Sequence, residues 1–273
     1  MKVLIQNIKL VDSCWLIEEN RIKIMNEIKV SIVTPSFNQA HFLEETILSI
    51  LNQTYKNIEY IIIDGGSTDG SINIIQKYES RIQYWISEPD YGQTDAVNKG
   101  LEHCTGELVA YLNSDDLYEL DAVENIVDAF MKDKSAAVYY GKCSVIDGKG
   151  NEVSKHKGYQ IDYNHLLNHS MVPGIFQPAC FFNNTLQLRK PLFAEKFVID
   201  YELLIWLLSK NFNFIFIDEN IAKYRVHQAA RTTVETSIIY EEKLKLQLRY
   251  GAGMGVKWKM LKFQLKKFLG LVK

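Results

Sequence analysis

A chain of 273 residues can bury a sizeable core, as one large domain or as one domain with an appendage. Its 47 % hydrophobic and 23 % charged residues exclude a disordered chain, and a net charge of −2 removes any global pull toward nucleic acid. The four cysteines, Cys14, Cys104, Cys143 and Cys180, stand far apart without a CxxC pair and read as reduced thiols of a cytoplasmic protein. No signal-type stretch opens the chain, and no apolar run approaches the ~18 residues needed to span a bilayer. Asn-x-Ser/Thr triplets at Asn52, Asn168 and Asn183 read as chance.

Residues 1–27 carry no clear pattern and read as an N-terminal extension. From Ile28 the pattern is regular. "IKVSIVTPSF" predicts a buried strand, and "HFLEETILSILNQ" a helix with Phe42, Leu43, Ile47, Ile50 and Leu51 on one face. "IEYIIIDGGS" predicts a second strand, with Ser67, Thr68 or Asp69 as cap of the helix in "GSINIIQKYE". "RIQYWISE" is a third strand before a helix over 93–104, and "GELVAYLN" a fourth before a helix over 119–132. This alternation predicts an α/β fold with a parallel, doubly wound sheet. After Ala136 the rhythm changes to a hairpin closed by Gly148-Lys149-Gly150, a helix near 161–169, a strand in "QPACFF", a helix over 199–210 and a strand in "FNFIFID". From about residue 235 the chain is helical and basic.

The first four strands end in Pro35-Ser36-Phe37-Asn38, Asp64-Gly65-Gly66-Ser67, Glu88-Pro89-Asp90 and Asn113-Ser114-Asp115-Asp116. Any one of these reads equally well as loop solvation. Together they point into one crevice, because open α/β sheets bind ligands beyond the carboxyl ends of their strands. Adjacent carboxylates such as Asp115 and Asp116 repel by about 4 kcal/mol at 4 Å and an effective dielectric of 20. Only Lys99 offers nearby compensation, so a divalent cation is expected, with substrate phosphates completing its shell.

"VSIVTPSFN", "IDGGSTDGS", "SEPDYGQTDAVNKG" and "LVAYLNSDDLY", in that order, resemble family 2 glycosyltransferases of the GT-A fold, over residues 28–228. The resemblance implies an inverting, non-processive transfer from a nucleotide-diphosphate sugar, with UDP-sugars the expected donors. It implies Asp116 as direct metal ligand, with Asp115 nearer the ribose and sugar. It puts Pro35, Phe37 and Asp64 beside base and ribose, has Asp90 close that pocket, and adds Asn38, Gly66, Lys99 and Asn113 to the donor side. One departure stands out: many relatives carry Asp-Asp-Gly-Ser where this chain has Asp64-Gly65-Gly66-Ser67.

Inverting transfer needs a general base for the acceptor hydroxyl. "FVIDYELLIWLLSK" offers Asp200 and Glu202 at a helix start, where on pattern alone they read as dipole-stabilising acids. The family's Glu-Asp helix implies Asp200 as the base, although Ile199 replaces its glutamate, and leaves Glu202 to the acceptor side or the helix. Tyr224-Arg225-Val226-His227 resembles the family segment whose histidine closes the metal shell. An oxygen and imidazole shell suits Mn²⁺ or Mg²⁺, with Mn²⁺ preferred. Arg225 and Arg231 are expected near the diphosphate, and Gln177 on the acceptor side.

The stretch 229–273 reads as a separate helical tail, whose "GVKWKMLKFQLKKFLGLVK" has six lysines and no acid. Trp258, Leu261, Leu265, Phe268 and Val272 recur at helical spacing, the pattern of an interfacial membrane helix or of a helix packed on its own domain. The former suits a peripheral protein at the inner face of the membrane that acts on a glycan or lipid-linked acceptor. "GAGMG" at 251–255 lacks a preceding strand and reads as a joint. No GxxxxGK[ST] phosphate loop, no Gln-x-x-Arg-Trp motif and no basic glycine-rich loop after strand one is present. The alternative from another class is a catalytically silent, membrane-associated nucleotide-sugar-binding scaffold.

Overall fold

The computed structural model describes residues 25, 27–168, 174–186, 198–228, 230 and 236–271. The N-terminal extension before residue 25, Cys14, Arg231 and Val272 lie outside them.

Four strands, β1 (Val30–Ser36), β2 (Ile58–Asp64), β3 (Tyr84–Ser87) and β4 (Leu108–Tyr111), pair in parallel in the order β3-β2-β1-β4. Helices α1 (Ala40–Leu51), α2 (Ser71–Lys77) and α3 (Gln93–Glu102) return the chain between them, and α4 (Ala122–Lys132) follows β4. β1 is buried along its whole length because helices cover both faces. Period-2 alternation sends Val30, Ile32, Tyr60, Ile62, Leu108 and Ala110 into one core cluster, which also holds Leu43, Ile47, Ile75 and Ile126 of α1, α2 and α4. Val33, Ile61, Ile63 and Tyr111 face the other way, onto Ala96 and Val97 of α3. α3 lies so close to β1 that a Cβ at Gly100 would stand 2.3 Å from Val33 Cγ1.

Five further strands, β5 (Leu117–Tyr118), β6 (Val138–Ile146), β7 (Glu152–His156), β8 (Cys180–Asn183) and β9 (Phe214–Arg225), extend the sheet to β3-β2-β1-β4-β8-β6-β9-β5, with β7 on β6. β8 runs antiparallel to both β4 and β6, whereas β6 and β9 are parallel. The regular parallel part thus ends at β4. α2 also starts differently from the expectation: its N-cap is Gly70 at φ +101°, without a side-chain cap. Asp69 instead accepts the Ala40 N–H (2.8 Å) at the start of α1.

Helices α5 (Tyr163–Asn168), α6 (Ile199–Ser209), α7 (Thr236–Arg249) and α8 (Met254–Phe268) build a second core on β6, β8 and β9. Leu204, Ile205 and Leu207 of α6 share it with Leu244 and Leu246 of α7 and with Val256, Met260 and Phe263 of α8. The C-terminal helices are therefore part of a shared core, unlike the separate tail expected. Another face of α8, carrying Trp258, Leu261, Leu265 and Phe268, stays 55–87 % exposed. Among the described residues no helix is long and apolar enough to cross a membrane.

Candidate active site

The polar ends of β1 and β2 are fastened to each other. Asn38, in the left-handed region at φ 52°, gives its N–H to Ser67 Oγ (2.8 Å) and accepts the Thr68 N–H on Oδ1 (2.9 Å). Asp64 accepts the N–H groups of Gly66 (3.2 Å) and Ser67 (2.8 Å) and the hydroxyls of Ser67 and Ser87. It is 0 % exposed. Asp64, expected beside base and ribose, also organises that loop through this set of internal hydrogen bonds. Pro35 is buried in β1, Phe37 stands on the rim at 58 % exposure, and Gly66 takes φ +83°. Asp90 packs on Gly65, whose Cβ, if added, would stand 2.7 Å from Asp90 Oδ2. Lys99 is engaged by Glu88 (2.8 Å) and Asp95 (3.4 Å) beside that loop.

After β4 the chain turns through Asn113–Asp116, with the Asp116 N–H on the Asn113 carbonyl (3.1 Å). It then forms the two-residue strand β5, which pairs Leu117 with Lys223 and Tyr118 with Ala222 of β9. This ladder carries the Asp pair to the end of β9. The two carboxylates meet different surroundings there. Asp116 is 1 % exposed; its Oδ1 accepts the Arg225 N–H (2.9 Å) and its Oδ2 the Asn113 amide (3.2 Å). Burial first, then the neighbouring Asp115 charge, pushes its carboxyl well above the usual carboxylate range. Asp115 keeps a partly exposed side chain, and its Oδ2 lies 3.1 Å from His227 Nε2. Asp116, expected as direct metal ligand, is thus the buried member of the pair, and Asp115, expected nearer the ribose and sugar, is the more exposed one. The buried member is the brace, and the exposed one faces the histidine.

Arg225 is likewise a brace. It is 1 % exposed, donates through Nε to the Asp115 carbonyl (2.8 Å), through Nη1 to the Asp147 carbonyl (3.4 Å) and through Nη2 to Glu45 (2.6 Å). The Phe42 ring packs on both Arg225 (4.8 Å) and His227 (4.7 Å). Arg225, expected near the diphosphate, is here engaged by these internal partners. Glu45 and Phe42 escaped the sequence reading because on α1 they look like an ordinary surface acid and a core aromatic.

The acceptor-side residues fall into two places. Gln177 donates to the Tyr111 carbonyl (2.6 Å) and accepts from Asn113 (3.4 Å), while Gln93 donates to the Asn113 side-chain oxygen. Asn113 thereby joins Gln93, Gln177 and Asp116 in one chain of amides. Asp200 lies half-buried in the first turn of α6, whose N-cap is Val198, so it is not the capping residue. Burial and then the Asp200 carboxylate push the phenol of Tyr111 upward, and Asp116 adds to that shift, so both acids lie near Tyr111. Glu202, expected on the acceptor side or in support of the helix, is 5 % exposed and approaches Arg249 of α7 (3.7 Å), which ties two helices together.

Asp115 Oδ2 and His227 Nε2 lie 3.1 Å apart, and an oxygen and an imidazole donor are of the kind that suits Mn²⁺. Among the described residues no group of three or more His, Cys, Asp or Glu side chains is placed to hold a metal ion.

The family model for glycosyl transferase family 2 matches residues 31–191. TuaG of Bacillus subtilis (strain 168), whose name assigns it to teichuronic acid biosynthesis, is 32 % identical over 204 residues, 72 % of this chain and 79 % of that protein. Chondroitin synthase of Escherichia coli is 35 % identical over 146 residues, 52 % of this chain but 21 % of the larger protein. Among solved structures, S. aureus TarS 1–349 in complex with UDP shares the fold at a TM-score of 0.60 and 18 % identity, over 88 % of this chain and 72 % of that one. The mannosyltransferase PcManGT from Pyrobaculum calidifontis, in complex with GDP-Man and Mn²⁺, matches at 0.60 and 15 %, over 92 % and 76 %. A sheet with polar strand ends and a family match over more than half the chain lead to one assignment: this protein is a glycosyltransferase and belongs to glycosyl transferase family 2.

Proposed function

We propose that this enzyme moves a sugar, with inversion, from a nucleoside-diphosphate sugar to a hydroxyl of a glycan or lipid-linked acceptor in cell-surface polysaccharide synthesis. The observation that carries the reading is the Asp115–His227 pair, 3.1 Å apart, brought together by the pairing of β5 with β9. The donor lies across the ends of β1 to β4, its nucleoside over Phe37 and Asp90 and its diphosphate toward Asp115. A UDP-sugar is the favoured donor, in line with the UDP complex of TarS, and the polysaccharide setting with the names of TuaG and chondroitin synthase.

Asp115 and His227 would hold a divalent ion, Mn²⁺ or Mg²⁺. When bound, it neutralises the charge that grows on the departing diphosphate. Asp116 and Arg225 keep Asp115 and the end of β9 in register. Asp200 accepts the proton of the acceptor hydroxyl while that oxygen attacks the anomeric carbon opposite the diphosphate, and the carbon–oxygen bond to the diphosphate breaks. Gln177 and Asn113 line the acceptor side. Transfer and donor-hydrolysis assays with Asp200→Asn test this: loss of turnover with donor binding retained is expected. Equal turnover in both proteins removes Asp200 as base, and no turnover in the wild type with any nucleotide sugar favours the silent scaffold.

The residues from 254 to 271 add attachment to the inner face of the membrane. Met254, Trp258, Leu261, Leu265 and Phe268 form an exposed apolar stripe, and Lys257, Lys262 and Lys266 flank it. Two copies meeting along this stripe would set lysines against lysines, whereas anionic headgroups neutralise them. Binding to anionic over neutral vesicles, lost in Trp258→Glu/Leu265→Glu, is expected. Equal binding by both proteins refutes it.

A further inference from the structure

Gly65 and Asp90 come from different loops yet share one small volume. A side chain at residue 65 would begin 2.7 Å from Asp90 Oδ2, 3.1 Å from its Cγ and 3.3 Å from Oδ1, so the carboxylate packs where a residue-65 side chain would project. The Asp90 side chain is fixed from one side only. Oδ1 accepts the Gly92 N–H (2.8 Å), and Gly92 takes φ +105°. Oδ2 has no hydrogen-bond donor among the described residues, and Asp90 is half-exposed. The loop beneath is rigid: Asp64 accepts Ser87 Oγ–H (2.6 Å), and the Glu88 N–H reaches the Asp64 carbonyl (3.0 Å).

The sheet order fixes what this carboxylate oxygen meets. Asp115 follows β4 and Asp90 follows β3, and the order β3-β2-β1-β4 separates them by three strand spacings, about 14 Å. A nucleoside diphosphate whose phosphates lie at Asp115 and His227 therefore presents its far end, the base, to Asp90. A carboxylate oxygen only accepts hydrogen bonds. Uracil and guanine carry a ring N–H between their outer groups; cytosine carries a lone pair at that place.

We infer that Asp90, seated in the space left by Gly65, selects the nucleobase of the donor by accepting its ring N–H, so that uracil or guanine is bound and cytosine rejected. This rests on the donor reading given under Proposed function. Residue 65 and residue 90 act as one unit, because a side chain at 65 displaces the oxygen that reads the base.

The test is calorimetric titration of UDP, GDP and CDP, with Mn²⁺, into the full chain and its Asp90→Asn and Gly65→Ala variants. The wild type is expected to bind UDP or GDP roughly ten- to a hundredfold tighter than CDP, the worth of one hydrogen bond to a charged group. Asp90→Asn should collapse or invert that ratio, because its amide can turn an N–H toward the cytosine lone pair. Gly65→Ala should weaken the preferred diphosphate and leave CDP unchanged, which keeps the test intact if Asp90→Asn does not fold. An unchanged ratio in both variants, or a wild type that holds CDP as tightly as the others, overturns the inference while the donor reading stands. A wild type that binds none of the three overturns both.

Discussion

The two ends of the crevice use their acids in opposite ways. At the β1–β3 end, Asp64 and Asn38 give their hydrogen bonds to the loops themselves, and the more exposed Phe37 and Asp90 are carried on that stiff frame. At the β4–β9 end, the chain keeps one carboxylate in reserve. Asp116 is consumed by Arg225 and Asn113, so that Asp115, one residue away, can face His227 at the opening. Rigidity at one end comes from saturating an acid. At the other, only the neighbour of Asp115 is saturated in this way.

The sharpest way to break this comparison is to remove the reserved groups. Asp200→Asn should lower turnover by about 10²–10⁴-fold with donor binding intact, read by initial rates and calorimetry. Asp115→Ala should abolish Mn²⁺-dependent donor binding while thermal stability stays near that of the wild type. Asp116→Ala should do the reverse in kind: it orphans the buried Arg225 N–H and costs about 1–3 kcal/mol in a denaturant titration. If Asp116→Ala instead abolished metal titration with stability intact, the roles of the pair would be exchanged. Gly100→Ala drives a methyl group into Val33 and should cost about 1–3 kcal/mol, independent of metal. Glu45→Gln is the mildest. Its exposed carboxylate is paired with Arg225, and the loss should stay below about 1 kcal/mol in urea unfolding.

The parallel half was legible because its strands are apolar on both faces and its loops polar, a contrast that survives in a single sequence. The family motifs made the crevice and its acids legible too. What the sequence hid has a physical reason in each case. β5 has two residues, too few for any period, yet its pairing with β9 brings Asp115 to His227. Which of two adjacent aspartates faces outward depends on that turn and on Arg225, 109 residues later than Asp116, and no local pattern encodes it. The organising role of Asp64 was hidden because its partners, Ser67 and Ser87, are as polar as a binding loop would be. The C-terminal stretch was read as one amphipathic face. It has two, since Val256, Met260 and Phe263 pack inward while Trp258 and Leu265 do not.

That second face has a mechanical consequence. α8 is bolted to the catalytic body through buried side chains, and Lys267 adds a strap to Glu241 of α7 (2.8 Å). Whatever adheres to its outer stripe grips the whole molecule at a set tilt, with no swivel between grip and crevice. If the surface that the stripe holds also carries the acceptor, the pitch of that one helix sets the direction of its approach.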